Sequence, residues 1–193
     1  MRLLQRLFAI ACFGLIATAA AAAPNAPVEG QEYIRLQQPV PTDSGKKVEV
    51  MEFFWYNCPH CYAFEPHLAD WAKKHADKIV LKRVPIALND DTLVQQKLYY
   101  TLEAMNRLDL HAVVFDAIHQ RRMKLNTEPE IMAFIEKQSI DSKKFGETFN
   151  SFSVQSKVAR VRQLQEAFRI DGVPTVAIDG QYVTSPSIVG KSM

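Results

Sequence analysis

The 193-residue chain carries 23 basic and 21 acidic residues, a net charge of +2, and 48% of its residues are hydrophobic. A balance this close to neutral, with no basic run, gives no electrostatic case for binding nucleic acid or an anionic membrane surface. Once a leader of two dozen residues is set aside, about 170 residues remain, enough for one sizeable core with an insertion.

The leader is read from its layout. Arg2 and Arg6 make a basic start, Leu7 to Ala20 is an apolar run, and small residues follow at Ala19 to Ala23. The run is short for a membrane span, so residues 1–23 are expected to be a secretory signal peptide, cut at or just before Ala23. Cys12 suggests a lipid anchor only weakly, because Ala9, Ile10 and Ala11 before it include no Leu and the apolar run continues past it. Residues 24–30 then read as a loose tail.

Tyr33 to Leu36 is expected as a short strand, followed by a turn region with Pro39, Pro41, Asp43 and Gly45. Val48 to Trp55 is the strongest strand candidate, a dense apolar and aromatic run broken by Glu49 and Glu52, of the kind buried on both faces. From Pro59 to about His75 the period becomes helical, with Phe64, Leu68 and Trp71 or Ala72 on one side. Pro66 inside it is expected to kink or divide the helix. Ile79 to Val84 is a second strand, stopped by Pro85, completing a βαβ unit.

Residues 91–150 read as an all-helical insertion. Its segments are one through Leu93, Leu98, Leu102 and Met105, then Val113–Met123, Glu130–Gln138 and Lys143–Phe149, with Thr127 as an N-cap ahead of Pro129. A longer helix spans Ser153 to Phe168 and ends at Asp171-Gly172-Val173-Pro174. Thr175–Ile178 and Tyr182–Val183 are expected to form a hairpin across a two-residue Asp179-Gly180 turn. The domain division that follows is 24–90 with 151–193, interrupted by 91–150.

Chemistry concentrates at Cys58-Pro59-His60-Cys61. With Cys12 removed in the leader, these are the only two cysteines, and a staple across so small a loop restricts the unfolded chain little. A zinc site would need a second pair, and the histidines at 67 and 75, and at 111 and 119, are spaced unlike compact zinc ligands. No metal or organic cofactor is expected. Thiol–disulfide exchange needs a thiolate that forms easily and a second thiol close by. Cys58 sits where a strand gives way to a helix, where free N–H groups and the macrodipole favour negative charge. Pro59 suits the first helical position, and His60, when protonated, adds positive charge beside the sulfur. Cys61, one turn on, is the expected buried partner. A stabilised thiolate favours the reduced state, which makes the oxidised protein a disulfide donor.

Glu52 admits two readings. It either faces solvent at a sheet edge, or is a buried acid with a raised pKa that exchanges protons with Cys61.

The run Glu52-Phe53-Phe54-Trp55-Tyr56-Asn57-Cys58-Pro59-His60-Cys61-Tyr62-Ala63-Phe64-Glu65 resembles the DsbA family of periplasmic dithiol oxidases, and the likeness extends from about Tyr33 to Val183, including Gly172-Val173-Pro174. The resemblance implies a thioredoxin-like α/β fold with a helical insertion domain. It implies Cys58 as the exposed nucleophile, Cys61 as the resolving thiol, Glu52 as a buried acid and Glu65 as a second charged group near the site. Pro174 would match the family's cis-proline, leaving the Val173 backbone free to pair with an extended substrate. Phe64 and Leu68 either line a substrate groove or belong to the core.

Family members continue past the hairpin into another helix. Here Ser185-Pro186-Ser187-Ile188-Val189-Gly190 leads to Met193, so either the chain is a truncated product or that helix is absent, and its loss is expected to leave sheet surface uncovered.

The expected activity is donation of the Cys58–Cys61 disulfide to unfolded exported proteins in the periplasm by a monomer, with reoxidation by a DsbB-like membrane partner. The alternatives are a disulfide reductase or isomerase, and a peptide-binding chaperone whose disulfide is incidental.

Overall fold

A computed structural model describes residues 26–87 and 92–190. The expected signal peptide lies outside the described residues. Five strands and six helices follow in chain order: β1 (Ile34–Arg35), β2 (Val48–Phe54), α1 (Pro59–Lys74), β3 (Ile79–Pro85), α2 (Leu93–Ala104), α3 (His111–His119), α4 (Glu128–Ile135), α5 (Ser142–Phe149), α6 (Phe152–Phe168), β4 (Thr175–Ile178) and β5 (Tyr182–Thr184). A single turn of 3₁₀ helix, Leu108–Leu110, leads into α3.

The strands form one sheet in the order β1-β5-β4-β2-β3. The β2 and β3 strands are parallel, as a crossover through α1 requires, and the remaining pairs are antiparallel. Strand β2 is therefore flanked on both sides, and all its residues except Val48 are buried. Its side chains alternate between faces. Phe53 meets Phe168 of α6, while Phe54 meets Tyr99 of α2 and His111 and Phe115 of α3. The helices between β3 and β4 thus close over the sheet end that leads to Cys58.

Expected and observed elements agree in order and type, and differ at several boundaries. Helix α1 runs without division through Pro66, which is exposed. Strand β3 includes Pro85, whose missing N–H removes no essential bond because β3 is an edge strand. Thr127 caps α4 as expected, in a reciprocal capping box with Glu130. The hairpin loop holds three residues, because Ile178 pairs with Tyr182 and Gln181 closes the turn onto the Ile178 carbonyl. No helix follows β5 among the described residues, and Val176, Ile178 and Tyr182 on the sheet are half-buried.

One glycine is required by its surroundings. Gly180 has φ +64°, and a Cβ there would overlap the backbone carbonyl of Val40, whose N–H donates to the Gly180 carbonyl at 2.7 Å. Gly180→Ala is therefore expected to cost more than ~1 kcal/mol, read as a lowered urea midpoint with unchanged slope.

Candidate active site

Strand β2 ends at Phe54, and the chain turns through Trp55 to Asn57 with the Cys58 N–H donating to the Trp55 carbonyl at 3.0 Å. Cys58 is the N-cap of α1, and its Sγ accepts the backbone N–H of Cys61 at 3.3 Å. Pro59 occupies the first helical turn, where a missing N–H costs nothing. That turn holds no acidic residue to oppose a negative charge at the helix start, while Lys73 and Lys74 lie in the last.

Both cysteines are free thiols here. Hydrogen bonding with Cys61 is the largest influence on Cys58. Together with the backbone N–H groups of Cys61 and His60 and the charge of His60, it outweighs burial and lowers the Cys58 pKa to about 6. Burial, then the hydrogen bond and charge of Cys58, push the Cys61 thiol far up. The two sulfurs of one motif are thus driven in opposite directions.

Cys58 is less exposed than its expected role implied. It is 7% exposed and Cys61 0%, so Cys58 is the more accessible of the pair without being open. The cover comes from the far end of the chain: the Cys58 Sγ–H points to the Val173 carbonyl at 3.6 Å. The Val173–Pro174 bond is cis, and Thr175 Oγ1 braces this loop by donating to the Gly172 carbonyl at 2.7 Å. Pro59 and His60 are exposed beside the motif. Phe64 and Leu68 part company, Phe64 being half-buried and Leu68 buried at 5% exposure.

Glu52 is fully buried, which overturns its reading as a solvent-facing edge residue, because β2 lies between β3 and β4. Its Oε2 accepts from Arg83 Nε at 3.2 Å. Arg83 is the residue directly opposite it in the parallel register. Arg83 also holds Glu65 of α1, donating from Nη2 to Oε1 at 2.6 Å and from Nε to Oε2 at 3.2 Å. Burial, then the Glu65 charge, push the Glu52 carboxyl up to about 8 against the pull of Arg83. Glu65 ends below the ordinary carboxylate range: burial works to raise it, but His111 and Arg83 together outweigh that.

The network continues into α3. Burial lowers the His111 pKa, so its imidazole is neutral and carries one N–H. Its Nε2 faces Glu65 Oε2 at 3.5 Å and its Nδ1 lies 2.9 Å from the Tyr56 hydroxyl. An ionised Glu65 favours the proton on Nε2, which leaves Nδ1 to accept from Tyr56.

A model of the DSBA-like thioredoxin domain matches residues 78–192. The thiol:disulfide interchange protein DsbA of Bordetella parapertussis is 46% identical over 183 residues, covering 92% of this chain and 88% of that protein. The DsbA of Pseudomonas aeruginosa (strain PAO1) is 38% identical over 154 residues, covering 79% and 73%. Among solved structures, Pseudomonas aeruginosa DsbA superposes with a TM-score of 0.79 at 37% identity, over 84% of this chain and 85% of that one. The oxidoreductase NmDsbA1 from N. meningitidis gives 0.73 at 30% identity, over 84% and 90%. The chain belongs to the DsbA family.

Its thioredoxin-like fold accounts for the helix start, the adjacent cis-proline loop and the buried acid together. Three polar members of this DsbA-type site escaped the sequence reading: Arg83, His111 and Tyr56. Arg83 was open to inference. Neighbouring strand residues point to opposite faces, so of Lys82 and Arg83 one had to face inward beneath a helix. On the opposite face Lys82 pairs with buried Glu49 at 2.7 Å.

Two outcomes follow from these shifts. The alkylation rate of the reduced protein should rise with pH through a midpoint near 6, from Cys58, with no second step from Cys61 up to pH 9. Glu52, raised from 4.5 to about 8, binds more protons folded than unfolded across that window, so it costs stability increasingly as pH rises from 4.5 to 8. Relative to the wild type, Glu52→Gln is expected to gain stability by a few kcal/mol between pH 5 and pH 8, measured by urea unfolding.

Proposed function

We propose that this thiol:disulfide oxidoreductase works as an oxidase, passing the Cys58–Cys61 disulfide to unfolded exported proteins. The observation that carries the reading is the placement of the two thiols: Cys58 caps the start of α1 with its sulfur on the Cys61 N–H, which lowers its pKa to about 6, while fully buried Cys61 is raised. A substrate thiolate attacks Cys58 Sγ, the Cys58–Cys61 bond breaks, and Cys61 leaves with the electron pair. Buried Cys61 cannot remain an anion and takes a proton. Glu52, which holds its own proton up to about pH 8 and lies close enough to be raised by the charge at Cys58, is the nearby acid assigned to supply it. A second substrate thiolate then attacks its partner's sulfur in the mixed disulfide, and Cys58 leaves as the thiolate that the start of α1 stabilises. Two electrons pass to the protein, and the substrate gains one disulfide.

The sign favours donation because the leaving thiolate is the stabilised one. The same direction holds for DsbA proteins, in which an acidified cysteine accompanies an oxidising couple.

The Val173 carbonyl, 3.6 Å from Cys58 Sγ, belongs to the loop assigned to pair with an extended substrate backbone, and half-buried Phe64 to the apolar surface beside it. Buried Leu68 would support that surface from below. We assign residues 24–90 and 151–193 to the thioredoxin-like domain and 91–150 to the helical insertion. The working form is assigned as a periplasmic monomer, exported by the signal at 1–23 and reoxidised by a disulfide-bearing membrane oxidase similar to DsbB. No described helix is long and apolar enough to cross a membrane.

Equilibration with glutathione buffers, read by the fluorescence of Trp55, is expected to give a strongly oxidising midpoint. A thioredoxin-like midpoint would sink the oxidase reading in favour of reduction. Cys58→Ser is expected to abolish exchange, whereas Cys61→Ser should accumulate mixed disulfides with substrate; a Cys58→Ser protein that retained full protective activity on unfolding clients would favour a chaperone.

A further inference from the structure

The two residues before Cys58, Tyr56 through its carbonyl and Asn57 through its side chain, are gripped by side chains from the segment between β3 and α6. Asn57, the residue immediately preceding the nucleophile, belongs to a closed triangle of amides. Gln95 Nε2 on α2 donates to Asn57 Oδ1 and to Asn126 Oδ1, both at 3.0 Å, and Asn57 Nδ2 donates to Asn126 Oδ1 at 3.3 Å. Gln95 is 1% exposed, so its carboxamide is not a solvated surface group. Asn126 is itself held at the start of α4, where its backbone N–H donates to Glu130 Oε2 at 2.9 Å beside the capping box.

The second grip falls on Tyr56. His119, the last residue of α3, places Nε2 at 2.8 Å from the Tyr56 carbonyl. A carbonyl can only accept, so that nitrogen carries the proton. The imidazole is stacked on Tyr62 of α1 with 4.7 Å between centroids and 9° between planes. Tyr62 is anchored in turn, donating to Asp116 Oδ1 at 3.0 Å and accepting from Gln120 Nε2 at 2.9 Å.

We propose that Gln95, Asn126 and His119 are positioning residues that set the oxidising power of the cysteine pair. None touches either sulfur. They hold Tyr56 and Asn57 so that Cys58 stays at the start of α1, with its sulfur on the Cys61 N–H. That alignment is what stabilises the thiolate, and a thiolate free to swing away loses those donors for part of the time. The segment between β3 and α6 therefore tunes the redox couple as well as packing on the sheet. This rests on Cys58 being the sulfur that exchanges.

The test compares two lesions, one rescue and one control. Gln95→Leu and His119→Leu each remove hydrogen-bond donors at similar volume. His119→Gln keeps a donor within reach of the Tyr56 carbonyl. Phe145→Leu, in α5, thins the core of the same helical region without touching the clamp. Both lesions are expected to move the glutathione equilibrium toward the oxidised form by about fivefold, the worth of one hydrogen bond, and to raise the pKa of Cys58 alkylation. His119→Gln should lie closer to the wild type than His119→Leu, and Phe145→Leu should lower the unfolding midpoint while leaving equilibrium and pKa in place. The clamp is refuted if both lesions keep the wild-type equilibrium and Cys58 pKa, or if Phe145→Leu shifts them equally. Alkylation of wild-type protein first at Cys61 would overturn this proposal together with the assignment of Cys58.

Discussion

The hydrogen bond from the Cys61 N–H to the sulfur of Cys58 is the interaction around which the site is organised. A cysteine is an unusual N-cap, since Ser, Thr, Asp and Asn ordinarily fill that position. A neutral thiol accepts poorly, so the capping geometry favours the anion. Helix α1 gains its missing acceptor most fully when Cys58 is a thiolate, and this couples helix stability to redox state. Its absence of acids in the first turn and its two lysines in the last belong to the same electrostatic arrangement.

Holding that sulfur in place is a long-range task. Strand β2 delivers the chain to the helix start, and its flanking strands fix where it ends. The Val173 carbonyl closes the other side, 115 positions along the chain. The βαβ unit supplies the electrostatics of Cys58, while the segments beyond it supply the cover and the grip on Tyr56 and Asn57.

This division explains what could be read from the residues alone. Val48 to Phe54 is legible because burial on both faces leaves a dense apolar and aromatic run, and the start of α1 because a helical period opens at Pro59 a few residues after that run ends. Thr127 is legible as a cap because it stands ahead of Pro129, while the reciprocal bond from Glu130 is seen only in the structure. The pairing of Glu52 with Arg83 was not legible, because the register of two parallel strands is decided by the packing of the crossover helix rather than by local pattern. His111 was noticed only as half of an unpromising zinc spacing. Its place against Glu65 and Tyr56 exists only once α3 docks on α1. The resemblance implies an exposed Cys58, and the sequence gives no sign of its cover, because that cover comes from the distant Val173–Pro174 loop.

The buried charges follow a logic that stability alone does not supply. Two carboxylates share one guanidinium beneath the cysteines, and His111 beside them is neutral, so with both acids ionised the cluster would carry an uncompensated negative charge. That charge is expensive in the interior, and the structure resolves it unequally. Glu65 takes two hydrogen bonds from Arg83 and faces His111, and is held ionised. Glu52 receives one bond, leaves Oε1 without a partner, and is held protonated toward pH 8. The charge of Cys58 is among the influences that hold Glu52 up, so the proton is retained while negative charge stands nearby. An apolar residue at position 52 would spare the fold this cost. It would also remove the only carboxyl of the cluster that keeps a proton near neutral pH, beside a Cys61 thiol too strongly raised to exist as an anion. The group that costs stability is the one coupled electrostatically to both cysteines, and a site of chemistry is where a protein tolerates such a cost.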